Sequence, residues 1–131
     1  MSGEKFKIAI VDDDASVCQA TDRLLRAAGF QPVTYLSGEA FLEDAKRARP
    51  DCILLDIQLG GISGFELQTL LVNSGSTTPV IFITAHDDPE TREQARRTNC
   101  AAYLRKTDPG QAVIEAIRKA VRFNEAKVEE K

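Results

Sequence analysis

The sequence predicts an α/β protein built on a five-stranded, doubly wound parallel sheet with helices on both faces. Five short apolar segments are each followed by a segment whose apolar residues recur at helical spacing, which is typical of strand–helix units in series. At 131 residues the chain is long enough to bury one core. We therefore expect a single domain over 1–131, with its core at about 6–122.

The first two strand–helix units occupy the N-terminal part of the chain. FKIAIV at 6–11 is an apolar run typical of a buried strand, and QPVTYL at 31–36 is a weaker second strand. Helical spacing predicts the first helix from Val17, Ala20, Leu24 and Ala28. Gly29 is the expected stop signal for that helix. The second helix is expected to begin at a Ser37 cap and to place Phe41, Ala45 and Ala48 on one face.

The third and fourth units follow the same order. CILLD at 52–56 is a continuous apolar strand. A glycine-rich turn, LGGISG, leads from it into a helix around Phe65, Leu67, Leu70 and Leu71. PVIFITA at 79–85 is the fourth strand. Asp88 stands before Pro89, so we expect it to cap the fourth helix.

The fifth unit ends the domain. AAYLR at 101–105 is a short strand, and Asp108 before Pro109 is expected to cap the last helix. That helix is predicted from Val113, Ala116, Ile117, Ala120 and Val121. Residues 123–131 are expected to hold its end and a frayed tail.

Composition excludes several classes of function. A net charge of −3 gives no support for nucleic-acid binding. No apolar run is long enough for a membrane helix, so we expect no membrane partner. Cys18, Cys52 and Cys100 are an odd set without CxxC spacing, which favours unpaired thiols in the reducing cytoplasm.

Polar residues end four of the predicted strands. Asp12, Asp13 and Asp14 follow the first strand, Asp56 ends the third, Thr84 lies at the end of the fourth, and Lys106 follows the fifth. In open parallel sheets, ligands bind outside the carboxyl ends of the strands. We therefore expect these residues to meet at one edge, with Asp14 set apart as the cap of the first helix.

Clustered carboxylates of this kind need a cation among them. Hard oxygen ligands in a small site suit Mg²⁺. A carboxylate such as Asp56 can attack phosphorus and form an acyl phosphate. Lys106 would then supply positive charge and Thr84 a hydrogen bond to a phosphoryl oxygen. The strand ends therefore predict a site for a divalent cation and a phosphoryl group.

Four motifs carry a family resemblance: VDDD at 11–14, LLDIQLGGISG at 54–64, FITA at 82–85 and YLRK at 103–106. In this order and spacing, the chain resembles the receiver domain of response regulators in two-component (histidine kinase–aspartate) phosphorelays. The resemblance implies a flavodoxin-like (βα)5 sandwich with strand order 2-1-3-4-5, and it covers about residues 6–122.

The resemblance also implies a function. A sensor histidine kinase or a histidine phosphotransfer protein would pass a phosphoryl group to Asp56 in the presence of Mg²⁺ (or Mn²⁺). Asp12, Asp13, Asp56 and the backbone carbonyl of Gln58 would hold the metal. Such a domain is a phosphoacceptor with at most slow self-catalysed phosphorylation and dephosphorylation, and we do not expect an enzyme.

Further roles follow from the same resemblance. Thr84, Ala85 and Lys106 would bind the phosphoryl group, and Thr84 and Tyr103 would move inward together as the switch. Helix four, strand five and helix five would form the face for an output domain or partner protein, and a phosphorylation-dependent homodimer stays open. Gln58 and His86 occupy positions that tune dephosphorylation, although a solvated imidazole is the simpler interpretation of His86.

Two positions depart from the family pattern. Gly60 replaces a common proline, so the loop after the third strand should be more flexible. Lys106–Thr107 replaces Lys-Pro, for which we expect either a trans bond or a strained one. Between Glu90 and Thr98 only Ala95 is aliphatic, and we expect this fourth helix to be mobile until phosphorylation or partner binding orders it.

Two other functions stay open from the sequence. Asp12-Asp13-Asp14-Ala15-Ser16 approximates the nucleophile motif of haloacid-dehalogenase-type phosphatases, with Asp12 as nucleophile, but Asp56 would then be unexplained. A receiver-fold interaction module that works without phosphorylation is the other alternative, favoured by the departures at Gly60 and Thr107.

Overall fold

The computed structural model describes residues 5–129, and the chain alternates five strands with five helices. The elements are β1 (Lys7–Val11), α1 (Ala15–Ala27), β2 (Gln31–Tyr35), α2 (Gly38–Ala48), β3 (Cys52–Asp56), α3 (Gly64–Asn73), β4 (Val80–Thr84), α4 (Pro89–Arg96), β5 (Ala102–Arg105) and α5 (Gly110–Glu129). The predicted strands are confirmed to within one residue at each end. Residues 130–131 of the expected frayed tail lie outside the described residues.

All five strands pair in parallel, in the order β2-β1-β3-β4-β5. This confirms the expected order 2-1-3-4-5. The register aligns the carboxyl ends: Val11 lies opposite Leu55, and Thr84 lies opposite Arg105. Residues that follow these strands therefore share one edge of the sheet.

Polar side chains cap four of the helices, as local chemistry requires for unpaired backbone N–H groups. Asp14 accepts hydrogen bonds from Ser16 N–H and Val17 N–H, which confirms its role as the cap of α1. The expected caps of α2 and α4 are also present, at Ser37 and Asp88. Helix α3 begins with a reciprocal capping box between Ser63 and Glu66.

Two apolar clusters form the core, and the two-residue period of the strands divides their side chains between them. On β1, Ile8 and Ile10 belong to the cluster covered by α1 and α5, while Ala9 and Val11 belong to the cluster covered by α2 and α3. Phe82 of β4 lies in the second cluster with no exposed surface. Burial on both faces explains why the central strands are continuous apolar runs.

The three cysteines are free: Cys18 and Cys52 are buried, and Cys100 is partly buried. This agrees with the expectation of unpaired thiols. Within residues 5–129, none of the helices combines the length and apolar character needed to cross a membrane.

Candidate functional site

Three carboxylates converge where β1 and β3 end. One oxygen each from Asp12, Asp13 and Asp56 lies within 4.8 Å of the others. Asp12 is 2% exposed and Asp56 is 3% exposed, whereas Asp13 is exposed. The cluster therefore has two acids in the protein interior and one at its mouth.

Lys106 provides the positive charge nearest to the buried acids. Its Nζ lies 2.8 Å from Asp12 Oδ2 and 3.0 Å from Asp56 Oδ2. The Lys106 side chain is 22% exposed, so this ammonium is screened from water on most sides. Lys106, which follows β5, thus contacts Asp12, which follows β1, and Asp56, which ends β3. The residues at the strand ends were predicted to meet in this way.

The remaining carboxylate oxygens accept backbone hydrogen bonds that fix their orientation. Asp12 Oδ1 accepts from Asp14 N–H at 2.9 Å, and Asp56 Oδ1 accepts from Gln58 N–H at 3.0 Å. Asp13 Oδ2 accepts from Gly60 N–H at 3.3 Å. These bonds hold the acids in place although like charges repel.

Asp12 Oδ2, in contrast, accepts no backbone hydrogen bond within the described residues. It is buried and, apart from its ion contact with Lys106, makes no hydrogen bond to any residue in the described part of the chain. A buried carboxylate oxygen without its full set of partners is costly and is typical of a site that takes a cation. Together with the oxygen-only donor set, this atom fits Mg²⁺ or Mn²⁺.

Burial and mutual contact shift the pKa values of Asp56 and Lys106. Loss of water raises the pKa of Asp56, and hydrogen bonds from Gln58 N–H and Lys106 only partly offset this. For Lys106, burial acts to lower the pKa, but its close contacts with the Asp12 and Asp56 carboxylates outweigh this, and the pKa lies above its usual value. The ammonium therefore stays charged beside carboxylates that are poorly solvated.

Thr84 ends β4 and is 1% exposed. Its Oγ1 accepts from His86 N–H at 2.9 Å and donates to the His86 carbonyl at 3.3 Å. Within residues 5–129 no hydrogen bond joins this hydroxyl to the carboxylates. Both of its hydrogen bonds are made to His86, in the loop after β4. Ala85 and His86 are exposed in that loop, and Gln58 is exposed after β3.

Tyr103 is tied to the other side of the same loop. Its hydroxyl donates to Asp87 Oδ1 at 3.0 Å, and Arg92 Nη2 donates to both oxygens of Asp87 at 2.9 Å. Burial and the bond to Asp87 raise the pKa of Tyr103 to about 12. Sequence reasoning missed Asp87 and Arg92, because a loop acid and a helical arginine look like ordinary solvated charges.

The loop between β3 and α3 passes close to neighbouring atoms at two glycines, Gly61 and Gly64. Gly61 has φ +73°, and a Cβ there would lie 2.6 Å from Glu39 Oε2, which also accepts from Ile62 N–H at 3.1 Å. A Cβ on Gly64 would lie 2.5 Å from the Asp56 carbonyl oxygen. Glycine is therefore required at Gly64, where a side chain would meet the backbone of the strand end, and it is favoured at Gly61 by the positive φ. The extra flexibility expected from Gly60 stays a prediction.

The loop after β5 shows how the second departure is accommodated. None of the peptide bonds in the described residues is cis, so Lys106–Thr107 takes the trans geometry, one of the two expected outcomes. Lys106 still reaches both acids. The expectation that Asp108 caps α5 is wrong, because its carboxylate turns back and accepts from Arg105 N–H at 2.9 Å.

Known proteins resemble this chain in sequence and in fold. The chain is 30% identical over 123 residues to the response regulator protein TmoT of Ectopseudomonas mendocina, covering 94% of this chain and 56% of that protein. The solved structure of response regulator StyR is 33% identical, with a TM-score of 0.87 over 97% of this chain and 64% of that one. The chain spans about half the length of the curated relatives it matches.

A solved N-terminal domain agrees over nearly its whole length. It comes from a three-domain response regulator/sensory box/GGDEF protein of Carboxydothermus hydrogenoformans, is 34% identical, and has a TM-score of 0.83 over 93% of this chain and 98% of that one. The response regulator receiver domain family itself matches residues 8–118. With the strand order and the acid–lysine cluster already described, this match shows that the chain belongs to the response regulator receiver domain family.

Proposed function

We propose that Asp56 accepts a phosphoryl group from a phosphohistidine of a sensor histidine kinase or a histidine phosphotransfer protein. The contact of Asp56 with Lys106, within a cluster of three carboxylates whose oxygens lie within 4.8 Å of one another, is the observation that carries this proposal. An Asp56 oxygen attacks phosphorus, the P–N bond to the imidazole breaks, and the imidazole leaves with the electron pair of that bond. The product is an acyl phosphate on Asp56.

The residues around Asp56 divide the work of positioning and charge. Asp12, Asp13, Asp56 and the Gln58 carbonyl would hold Mg²⁺ or Mn²⁺. The ion, when bound, would neutralise charge on the phosphoryl oxygens. Lys106 would exchange its contact with the Asp56 carboxylate for one with the phosphoryl group.

The switch would begin at Thr84. A phosphoryl oxygen on Asp56 is a stronger acceptor than the His86 carbonyl that its hydroxyl now faces. Thr84 and the Ala85 N–H would turn to the phosphoryl group, and Tyr103 would follow inward and give up its bond to Asp87. The α4-β5-α5 face would thereby change its shape.

The α4-β5-α5 face would bind an output domain or a partner protein. Receiver domains are signalling modules, and relatives about twice the length of this chain are named response regulators. An output domain or partner protein on α4-β5-α5 fits this, as does a phosphorylation-dependent homodimer. We further propose a cytoplasmic location, no direct nucleic-acid contact by this domain, and only slow self-catalysed turnover, tuned by Gln58 and His86.

The test is incubation with acetyl phosphate, with and without Mg²⁺, followed by intact-mass measurement. We expect one added phosphoryl group that requires both Mg²⁺ and Asp56, and none in Asp56→Asn. Asp51→Asn is the matched control, since Asp51 lies at the opposite end of β3 and accepts from Lys7 N–H at 2.8 Å. A phosphoryl group on Asp56→Asn would overturn the assignment.

The alternatives give different results in the same experiment. No adduct, and no binding of beryllofluoride, would favour the interaction module that works without phosphorylation. Steady hydrolysis of a phosphate monoester that depends on Asp12 would favour the haloacid-dehalogenase-type phosphatase. That alternative gives no role to Asp56, a second buried carboxylate in contact with the same Lys106.

A further inference from the structure

The turn after β5 is closed by reciprocal hydrogen bonds between Arg105 and Asp108. Arg105 N–H donates to Asp108 Oδ2 at 2.9 Å, and Asp108 N–H donates to the Arg105 carbonyl at 3.0 Å. The Arg105 guanidinium donates to Asp108 Oδ1 through Nε at 3.2 Å and Nη2 at 3.0 Å. The Asp108 side chain is 18% exposed, so most of its surface is committed to this turn.

Lys106 lies inside that turn. Its N–H donates to the Thr84 carbonyl at 2.8 Å, which continues the pairing of β4 and β5 by one residue. The backbone at Lys106 is thus fixed by β4 on one side and by the closed turn on the other. A lysine side chain is long and flexible, so the direction in which it leaves the backbone decides where its ammonium can rest.

The residue after Lys106 does not supply this constraint. Residue 107 is threonine, which leaves free the backbone dihedral that a proline ring would restrict. The ammonium of Lys106 nevertheless meets two buried carboxylates at 2.8 Å and 3.0 Å. The hydrogen bonds between Asp108 and the Arg105 backbone, in contrast, enclose both Lys106 and Thr107.

We propose that Asp108 is a positioning residue for Lys106: by accepting from Arg105 N–H it closes the turn that directs the ammonium onto Asp12 and Asp56. The consequence for chemistry at Asp56 rests on the proposed function, whereas the placement of the Lys106 ammonium does not. Asp108 touches neither acid and acts only through the backbone on either side of Lys106.

The acceptor atom of Asp108 matters more than its charge. The Arg105 side chain is 56% exposed, and ion pairs of that kind contribute little. The bond to Arg105 N–H is short-range and depends on the length of the side chain at 108. Asp108→Asn keeps an acceptor at the same reach without the charge, while Asp108→Glu keeps the charge and moves the acceptor by one methylene.

The first test is a short pulse of an N-hydroxysuccinimide acetate, with acetylation at Lys106 measured by peptide mass spectrometry. An ammonium released from its acids is acylated faster, so we expect an increase of about 3–10-fold in Asp108→Glu and less than about twofold in Asp108→Asn. Exposed Lys46 is the internal reference. Asp22→Glu is the matched control, because Asp22 also pairs with an arginine, Arg26, at 2.7 Å.

Unchanged acetylation of Lys106 in Asp108→Glu would overturn the proposal, and so would an equal increase in Asp108→Asn. If Asp108→Glu fails to fold, Asp108→Ala removes the acceptor without added bulk and carries the same expectation. Thermal unfolding of each variant shows whether it is folded at the labelling temperature, and the acetylation of Lys106 is compared between folded variants.

The second measurement tests whether the position of the Lys106 ammonium affects phosphorylation of Asp56. With acetyl phosphate and Mg²⁺, we expect Asp108→Glu to be phosphorylated about tenfold more slowly, and to cause no further loss in a Lys106→Ala background. Additive losses in the double variant would overturn the proposal. A wild-type chain that accepts no phosphoryl group would instead refute the proposed function, and the acetylation result would still decide the role of Asp108.

Discussion

The two edge strands of the sheet each carry a tyrosine whose hydroxyl donates to an aspartate. On β2, Tyr35 donates to Asp44 of α2 at 2.6 Å; on β5, Tyr103 donates to Asp87 before α4 at 3.0 Å. Tyr35 is 8% exposed, and its ring meets Phe41 edge-on with centroids 5.3 Å apart. Tyr103 is only partly buried.

The same bond is therefore supported in two different ways. Each aspartate also pairs with an exposed arginine, Asp44 with Arg47 and Asp87 with Arg92. At the β2 edge, in addition, the tyrosine ring packs against the buried side chain of Phe41. Breaking the arrangement at the β5 edge costs an exposed ion pair, at about 0–1 kcal/mol, while breaking the one at the β2 edge costs core packing at several times that. The difference teaches that the fold can rearrange at its β5 edge without losing its core.

The largest expected effect is on stability at the β2 edge. Phe41 is 1% exposed, so Phe41→Ala should lower the free energy of unfolding by about 3–5 kcal/mol. Arg92→Ala at the other edge should lower it by about 0–1 kcal/mol. Urea denaturation of both variants measures the contrast, and similar losses would contradict it.

Next in size is the difference in local opening of the two flanking helices. Helix α2 buries Phe41, whereas the largest side chain that α4 buries is Ala95. We therefore expect backbone amides of α4 to exchange at least about tenfold faster than those of α2. Hydrogen exchange read by mass spectrometry or NMR checks this. Strong protection of α4 in the unphosphorylated chain would count against the mobility expected from its sequence.

A smaller contrast is expected when each hydroxyl is removed. Tyr35→Phe removes a 2.6 Å hydrogen bond made by a tyrosine that is 8% exposed, and it should cost about 1 kcal/mol even though Asp44 keeps its ion pair with Arg47. Tyr103→Phe should cost about 0.5 kcal/mol or less, because Asp87 keeps its three hydrogen bonds from Arg92. Thermal unfolding in parallel gives both values, and a larger loss for Tyr103→Phe would reverse the comparison.

The smallest expected difference lies in alkaline titration. Burial and an aspartate neighbour raise the pKa of both Tyr35 and Tyr103 to about 12. A folded pKa above the unfolded value of about 10 means that each phenol contributes stability below pH 10 and loses it as the pH rises through 12. Either Phe variant should therefore lose less stability than the wild type between pH 10 and 12, and by similar amounts. Chemical denaturation across that range measures it.

The strands and the acid cluster were predictable because both follow from local pattern plus one rule of topology. Apolar runs mark strands buried on both faces, and Asp12, Asp56 and Lys106 stand where those runs end. Asp14 and Ser37 were predictable as caps because each stands directly before its helix. In these cases the residue and its partner are neighbours in sequence, or are made neighbours by parallel pairing.

The missed contacts depend on which way a polar side chain turns. Asp108 precedes a proline and a helix just as Asp88 does, yet Asp88 caps forward to Thr91 N–H while Asp108 turns back to Arg105. Asp87 looked like any loop acid until Tyr103 was placed beside it. Such choices are settled by tertiary packing between segments, which local propensity does not encode.

The contact of one ammonium with two carboxylates has a thermodynamic consequence. Three acids and Lys106 leave the cluster with two negative charges, the amount that a divalent cation cancels. A cation held there and a phosphoryl group on Asp56 would then each make the other less costly to accommodate. Thermodynamic linkage requires the cation and the phosphoryl group to stabilise each other by the same free energy. The metal affinity of the resting chain and the free energy of phosphorylating it would, on this account, be two expressions of a single coupling.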